Sequence, residues 1–366
     1  MPPAMCTKPG GITALFASLV VTTSLAGCLP PLAFDEPAPQ DVETSLFLVG
    51  DAGETDPREV GSPLESLTVQ VSAAPERSIV LFLGDNVYPD GIPEEGRAES
   101  ADARRRLVAQ LEAIPKGARG IFLPGNHDWA REQAFGLFSV RLQEKLIAEL
   151  AHGRDIRMLP GNGCPGPVSI DVGRLRIIAL DTQWWLHDFI VRDGSTRCIN
   201  TIAGVTAELR RQVVVRDTGR VVLVAGHHPL MTGGEHGGWC GITGPFRRFA
   251  GRSQDVMSGP NRRMRDSLES AFRESRPLVY AAGHDHSLQV LRGGQSVDYL
   301  LVSGAGSDAK SSCAVRMRES QYTSQHRNGF MRLDIMRNRG VLLRVYRYST
   351  AGSGGVAYSH WLEARP

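Results

Sequence analysis

The sequence predicts an α/β fold in which two packed mixed β-sheets are flanked by helices. Apolar runs typical of buried strands alternate with stretches of 3.6-residue period in the first half of the chain. In the middle, two strand-like runs are joined through Gly173, and near the end two more are separated by an Asn-Arg-Gly turn at 338–340. No clean linker interrupts residues 44–350. The sequence therefore predicts one folded domain.

The individual elements follow from these patterns in chain order. The first half is expected to hold strands at 46–49, 79–83 and 121–123, with helices at 63–73, 101–114 and 131–151. The middle is expected to hold strands at 168–172, 176–180 and 221–224, with a helix at 206–215. A helix at 260–275 then leads to strands at 278–282, 299–302, 329–336 and 341–348.

Bulk composition narrows the classes of function. The chain has 366 residues, 42% hydrophobic and 22% charged, which is ordinary for a globular enzyme with a large core. A formal net charge of +2 is nearly balanced, so no nucleic-acid partner is expected. Arginine clusters at 104–106 and 262–265 lie among acidic residues in helix-like segments and are interpreted as solvated faces.

The N-terminus has the features of a targeting segment. Lys8 precedes a short apolar run at 12–25, and the run ends in Leu25-Ala26-Gly27-Cys28, which resembles the lipobox of bacterial lipoproteins. We expect a signal peptide at 1–27, a Pro-rich tether at 28–43 and the catalytic domain at 44–366. The resemblance implies an exported protein with a lipid anchor at Cys28, and Leu29 favours the outer membrane, facing the periplasm or the cell surface. An ordinary secretory signal, or an anchor formed by the apolar run, is the alternative.

Four cysteines remain outside the leader: Cys164, Cys198, Cys240 and Cys313. An even number in an exported protein predicts two disulfides, and four cysteines allow three pairings. No two of them have the CxxC spacing of a thiolate metal site. The pairing stays open from sequence.

Five short turns rich in Gly, Asp, Asn and His are the most informative feature of the chain. They lie at 50–53, 84–88, 125–128, 226–229 and 283–286, and four of them follow strand-like runs. In α/β folds the ends of several strands meet at one edge of a sheet, where ligands bind. Carboxylate, amide, phenol and imidazole groups gathered there would suit two adjacent hard or borderline cations.

Phosphate ester hydrolysis is a reaction that needs such a pair of cations. It is among the slowest uncatalysed reactions, and a positioned acid or base supplies only about 10²- to 10⁴-fold. Two cations about 3.5–4 Å apart can generate hydroxide and neutralise the phosphoryl oxygens.

The five turns, in order, resemble the signature blocks of the calcineurin-like metallophosphoesterases. Tyr88 in the second turn narrows the resemblance to the purple acid phosphatases, and the segments at 224–227, 235–237, 283–289 and 303–306 are most similar to the tartrate-resistant type. The similarity covers about residues 44–350. It implies the αββα metallophosphoesterase sandwich and cleavage of phosphate monoesters by attack of a metal-bound hydroxide.

The resemblance also implies two metal sites with a bridging carboxylate. Asp51, Asp85, Tyr88 and His286 would hold Fe(III), and Asp85, Asn126, His227 and His284 would hold Fe(II), Zn(II) or Mn(II). In the first turn, Gly53 would let the backbone pass close to the site.

Three further residues are expected to act in catalysis. His127 and His236 would contact the substrate phosphate or assist the leaving group, and Asp128 would orient His127. His228 is expected to line the pocket without binding metal. The pair Trp184-Trp185 would either wall the cleft or pack in the core, and Trp129 replaces a His found in some relatives.

Two other functions remain open from sequence. The same metal site could act on a phosphodiester, nucleotide or phosphoprotein, because the loops between the motifs, such as 231–258, decide the substrate. A non-catalytic lipoprotein that uses the fold to bind a partner belongs to another class, but it would be expected to lose ligands. The partners expected are therefore a small phosphorylated substrate and, through the anchor, a membrane; the oligomeric state is open.

Overall fold

A computed structural model describes residues 36–55, 62–94, 96, 98–187, 198–214, 219–240, 244–249, 251–307, 312–338, 340–348 and 354–363. Residues Ala38–Pro366 form one compact unit, separate from Met1–Pro37. The predicted signal peptide and Cys28 lie outside the described residues. The last residues of the predicted tether belong to the compact unit, since Pro39–Asp41 forms a 3-10 turn that leads into the first strand.

The first sheet has seven strands. In chain order they are β1 (Val42–Val49), β2 (Ser78–Phe82), β3 (Arg119–Phe122), β4 (Ile156–Met158), β12 (Asn328–Met336), β13 (Val341–Tyr348) and β14 (Gly355–Leu362). Their spatial order is β14-β13-β12-β1-β2-β3-β4. Strands β1 to β4 run parallel, whereas β12, β13 and β14 pair in antiparallel fashion.

The second sheet also has seven strands. They are β5 (Val168–Val172), β6 (Leu175–Ala179), β7 (Val221–Ala225), β8 (Val279–Ala282), β9 (Leu288–Arg292), β10 (Tyr299–Ser303) and β11 (Ser320–Ser324). Their order is β11-β9-β10-β8-β7-β6-β5, with β6, β7, β8 and β10 parallel. Strands β5, β9 and β11 pair in antiparallel fashion.

Side-chain alternation along the strands builds three apolar layers. On β1, Leu46 and Leu48 face the core between the two sheets, whereas Phe47 and Val49 face the helices outside the first sheet. On β7, Leu223 faces the core between the sheets and Val224 faces the helices outside the second sheet. Each sheet is thus covered on both faces.

Within the described ranges, seven α-helices complete the layers. They are α1 (Pro63–Ser72), α2 (Ala98–Glu112), α3 (Gly136–Leu150), α4 (Gln183–Leu186), α5 (Ile202–Val213), α6 (Gly244–Phe249) and α7 (Gly259–Phe272). Ser62, Thr201 and Ser258 cap the N-termini of α1, α5 and α7 by accepting a backbone N–H three residues on. The third helix starts at Gly136 rather than at 131, because residues 130–132 have left-handed backbone angles that no helix continues through.

The predicted fold class is confirmed: two mixed sheets of seven strands each are flanked by helices. Strands β4, β9, β11 and β14 were not predicted. Strand β4 is three residues long, and β9 directly follows a predicted site turn, so neither has a separate periodic signal.

The two disulfides expected from the cysteine count are present. They join Cys164 to Cys198 and Cys240 to Cys313. Among the described residues, no helix has both the length and the apolar character that crossing a membrane requires.

Candidate metal centre

The predicted ligands lie in turns that directly follow parallel strands of both sheets. Asp51 follows β1, Asp85 and Tyr88 follow β2, and Asn126 follows β3. His227 follows β7, and His284 and His286 follow β8. Backbone hydrogen bonds join these turns: Asp51 donates to the carbonyl of Gly84 (3.0 Å), and Gly283 donates to that of His227 (3.0 Å). The turn after β1 reaches the second sheet, since Gly50 donates to Ser303 (2.7 Å).

Three of the ligand-bearing residues have left-handed backbone angles. Asp51, Asp85 and His284 have φ of 60°, 54° and 68°. Such angles are uncommon outside glycine and gather at functional sites, where surrounding structure holds them. Gly53 is needed for a different reason, because a Cβ there would lie 2.6 Å from the backbone nitrogen of Val87.

The first half of the centre surrounds the hydroxyl of Tyr88. It lies 3.1 Å from Asp51 Oδ1, 3.1 Å from Asp85 Oδ2 and 3.2 Å from Nε2 of His286, and it can donate its one proton to either carboxylate. His286 Nε2 is also 3.4 Å from Asp51 Oδ1. The other three residues predicted to hold the first metal therefore converge on the hydroxyl of Tyr88.

The second half surrounds the side-chain oxygen of Asn126. Asn126 Oδ1 lies 3.0 Å from Nε2 of His227 and 3.1 Å from Nδ1 of His284. Asp85 Oδ2 is 3.4 Å from His227 Nε2, so this carboxylate contacts both halves. The bridging role of Asp85 remains a prediction, and it requires contact with both halves.

Carbonyl groups fix which nitrogen of each histidine faces the centre. Nδ1 of His227 lies 2.8 Å from the carbonyl oxygen of Leu83, and Nε2 of His284 lies 3.1 Å from that of Gln254. Donation to these carbonyls turns the opposite nitrogen of each ring towards the centre, where it can serve as a ligand atom once it carries no proton.

His228 has partners on both ring nitrogens. Thr182 Oγ1 accepts from the backbone N–H groups of His227 (3.1 Å) and His228 (3.0 Å), so its hydroxyl donates to Nδ1 of His228 (2.9 Å). Nε2 of His228 then donates to Gln254 Oε1 (2.7 Å). A ring nitrogen of His228 lies within 4.8 Å of ligand atoms of His227 and His284. These hydrogen bonds nevertheless leave His228 no lone pair for a metal.

The predicted catalytic pair His127 and Asp128 lies beside Asp85. The backbone N–H of His127 donates to Asp85 Oδ1 (2.9 Å), and its Nε2 lies 3.9 Å from Asp85 Oδ2. The carboxylate of Asp128 accepts from the backbone of Asn86, Val87 and Gly125 and from the side chain of Asn86, at 2.7–3.3 Å. In this geometry Asp128 orders the turn that carries Asp85, and its predicted action on His127 remains a prediction.

His236 lies on the other side of the centre. Its ring packs at a tilt of 34° against that of His284, with centroids 3.8 Å apart, and its Nδ1 is 3.0 Å from Asp255 Oδ1. The three tryptophans considered from sequence are all buried. Trp184 and Trp185 pack in the core outside the second sheet, and Trp129 donates from Nε1 to Asp181 (2.8 Å).

The electrostatics of the centre favour a bound cation. Asp51 and Asp85 are each 1% exposed, and among the described residues no Lys or Arg pairs with either. Burial, followed by the charges of Asp51 and Asp85, raises the pKa of Tyr88 well above its ordinary value. Buried carboxylates are normally paired with a cation or bound to a metal, and a phenolate at Tyr88 would need one too. The donor set fits two metal ions.

The histidines differ in charge. Burial disfavours protonation of His227, but the carboxylate of Asp85 outweighs it and raises the pKa of His227 to about 9. Burial would raise the pKa of Asp85, yet His227 and His127 hold it below its ordinary value. Burial and neighbouring histidines lower the pKa of His284, which keeps this imidazole neutral.

Comparison with known proteins assigns the family. Residues 62–288 match the calcineurin-like phosphoesterase model, so the chain belongs to that family and is a phosphoesterase hydrolase; the family uses two metal ions. Purple acid phosphatase 17 of Arabidopsis thaliana is 23% identical over 287 residues, which cover 75% of this chain and 72% of that protein.

Two solved structures share the fold. One is described as GAP50, the anchor in the inner membrane complex of Plasmodium, with a TM-score of 0.59, 15% identity and coverage of 89% of this chain and 90% of that one. The other is the purple acid phosphatase PPD1 from yellow lupin (Lupinus luteus) seeds, with a TM-score of 0.54, 15% identity and coverage of 89% and 55%.

Sequence reasoning missed several residues of the site: Thr182, Arg247, Gln254 and Asp255. None of them belongs to a motif, and each acts through a contact with a residue distant in the chain. The divergent loop at 231–258 was the available signal, since it was expected to tune the site.

Proposed function

We propose that this protein is an acid-phosphatase-like enzyme that hydrolyses phosphate monoesters at a dinuclear metal centre. The observation that carries the proposal is the position of the Tyr88 hydroxyl, within 3.2 Å of Asp51, Asp85 and His286. A phenolate oxygen there adds a hard anionic donor, which supports Fe(III) at the first site. The similarity to a purple acid phosphatase points the same way.

In this proposal Asp85 is shared by the two metal sites. Asp51, Asp85, Tyr88 and His286 hold Fe(III), and Asp85, Asn126, His227 and His284 hold Fe(II), Zn(II) or Mn(II). When bound, two such ions activate water and neutralise the phosphoryl oxygens. The protein keeps the ligand atoms turned inward through the carbonyls of Leu83 and Gln254.

His127 and His236 are the groups placed to meet the substrate. Their side chains are 15% and 24% exposed, whereas those of Asp85 and His227 are almost fully buried. Each is therefore reachable from solvent while lying against a ligand residue. We assign them contact with a phosphoryl oxygen or proton donation to the leaving alkoxide.

The test combines metal analysis, a visible spectrum and substrate comparison. The purified full-length chain should contain two metal ions, show a phenolate-to-iron band and hydrolyse phenyl phosphate faster than diphenyl phosphate. Tyr88→Phe should lose the band. A colourless protein with iron bound would contradict the assignment of Tyr88, and preference for the diester would favour the phosphodiesterase alternative. One solved structure with this fold is described as an anchor. A purified protein without stoichiometric metal would therefore favour a binding role over catalysis.

We also propose that the protein is an exported lipoprotein anchored through Cys28. The support is the apolar run that ends in Leu25-Ala26-Gly27-Cys28. Wild type should incorporate labelled palmitate and sediment with membranes, and Cys28→Ser should do neither. An unlabelled wild-type protein that is nevertheless processed would indicate an ordinary secretory signal.

A further inference from the structure

An ion-pair cluster beside the metal centre involves Arg247 and Asp255, which belong to none of the segments that resemble the family. Asp255 is fully buried, and its carboxylate accepts from the guanidinium of Arg247 at 2.6–3.1 Å and from the backbone N–H of Arg252 at 2.8 Å. The same carboxylate lies 3.0 Å from Nδ1 of His236. Arg247 also pairs with Glu235 at 2.7 Å, next to His236 in the chain.

In either tautomer of His236, the cluster forms a hydrogen bond with Nδ1. If Nδ1 carries a proton, it donates to Asp255; if it does not, Arg247 Nη2 donates to it from 3.0 Å. Within the described residues, no hydrogen bond engages Nε2 of His236. Nε2 is thus the nitrogen left for a substrate oxygen, on a ring that packs against His284.

The residues before and after Asp255 both contact the metal centre or His236 through their backbone groups. The carbonyl of the preceding residue, Gln254, lies 3.1 Å from Nε2 of His284, and the backbone N–H of Val256 donates to the carbonyl of His236 at 3.0 Å. The position of Asp255 relative to the two imidazoles is therefore set by backbone contacts as well as by its own side chain.

Stability alone is a poor explanation for this cluster. Removing an acid and a guanidinium from water costs about as much as their attraction returns, so a buried ion pair contributes little net stability. A role in aligning a reacting group accounts for its position one hydrogen bond from His236.

We propose that Asp255, with Arg247, is a positioning residue that holds the His236 imidazole so that Nε2 faces the substrate. The inference rests on the proposed phosphatase function and deepens it. Because Asp255 acts through His236, its removal should matter only while His236 is present.

The experiment is a double-mutant cycle on the full-length, metal-loaded chain with phenyl phosphate. His236→Ala and Asp255→Ala should each lower kcat about 10- to 100-fold with a smaller change in KM, and the double variant should be no slower than the slower single one. Asp255→Asn, which keeps the shape, should recover part of the loss. Asp334→Asn, in a buried ion pair of the first sheet with Arg332 and Arg344, is the matched control and should keep kcat. Equal losses from Asp255→Ala in the wild-type and His236→Ala backgrounds would overturn the proposal.

A second measurement does not depend on turnover. In protein loaded with Zn(II), the imidazole ¹⁵N resonances of His236, assigned with His236→Ala, should show a hydrogen-bonded Nδ1 that changes in Asp255→Asn. Identical resonances in the two proteins would overturn the positioning role even in a folded, active variant. If wild type is inactive but the resonances change as expected, the proposed phosphatase function fails while the coupling of Asp255 to His236 stands.

Discussion

Removal of the Asp128 carboxylate should loosen the turn that carries Asp85 and cost both stability and metal. The carboxylate is fully buried and accepts from four N–H groups: the backbone of Asn86, Val87 and Gly125 and the side chain of Asn86. Leaving a buried donor without an acceptor costs about 1–3 kcal/mol. Since water can enter and partly replace the lost bonds, we expect Asp128→Ala to lower the free energy of unfolding by about 4 kcal/mol.

That loss is large enough to measure by heat denaturation. For a domain of this size, 1 kcal/mol corresponds to about 2–4 °C, so the melting temperature of Asp128→Ala should fall by about 10 °C, with metal content reduced in parallel. Asp171→Ala is a suitable control, because its ion pairs with Arg176 and Arg220 are partly exposed and should contribute under about 1 kcal/mol. A variant that melts within about 3 °C of wild type with both metals bound would refute this reasoning. Loss of activity alone would instead favour the predicted action of Asp128 on His127.

Three further predictions test other parts of the structure. His127→Ala should lower kcat by about 10²- to 10⁴-fold with unchanged metal content by elemental analysis; a loss of metal would contradict its assignment to the substrate. Gly53→Ala should destabilise the protein by about 1–3 kcal/mol and weaken metal binding, because the new methyl group meets the backbone of Val87; calorimetry showing no change would contradict this packing argument. Burial raises the pKa of Asp181 from 3.8 to about 7, so its contribution to stability is fully present below about pH 4 and is lost as the pH rises towards 7. The melting temperature of wild type should therefore fall between about pH 4 and pH 7, and that of Asp181→Asn should fall less. Equal falls in the two proteins would contradict the role assigned to Asp181.

The candidate ligands could be recognised in the sequence because each belongs to a local pattern. An apolar run followed by a Gly-Asp, Gly-Asn or Gly-His turn is recognisable within a few residues, and parallel strands necessarily bring such turns to one edge. Asp51, Asp85, Asn126, His227 and His284 accordingly lie together. The cysteine count similarly predicted two disulfides, but their pairing depends on loops that no local pattern describes.

The supporting residues could not be predicted in the same way. Asp255 contacts a histidine 19 positions earlier, and Thr182 contacts one 46 positions later. Their importance arises from tertiary contacts, whereas their local sequence is that of an ordinary loop. The start of α3 was missed for a related reason, since the left-handed angles at 130–132 involve residue types that usually accept a helix.

The division of the seven predicted ligands between the sheets has a consequence for assembly. Four come from turns of the first sheet and three from turns of the second, so neither layer by itself offers a complete coordination sphere for either ion. With the proposed ligand set, tight metal uptake would follow the docking of the two layers, and the ions would hold together segments more than two hundred residues apart. A molecule with both ions bound would therefore be one in which the two layers have docked.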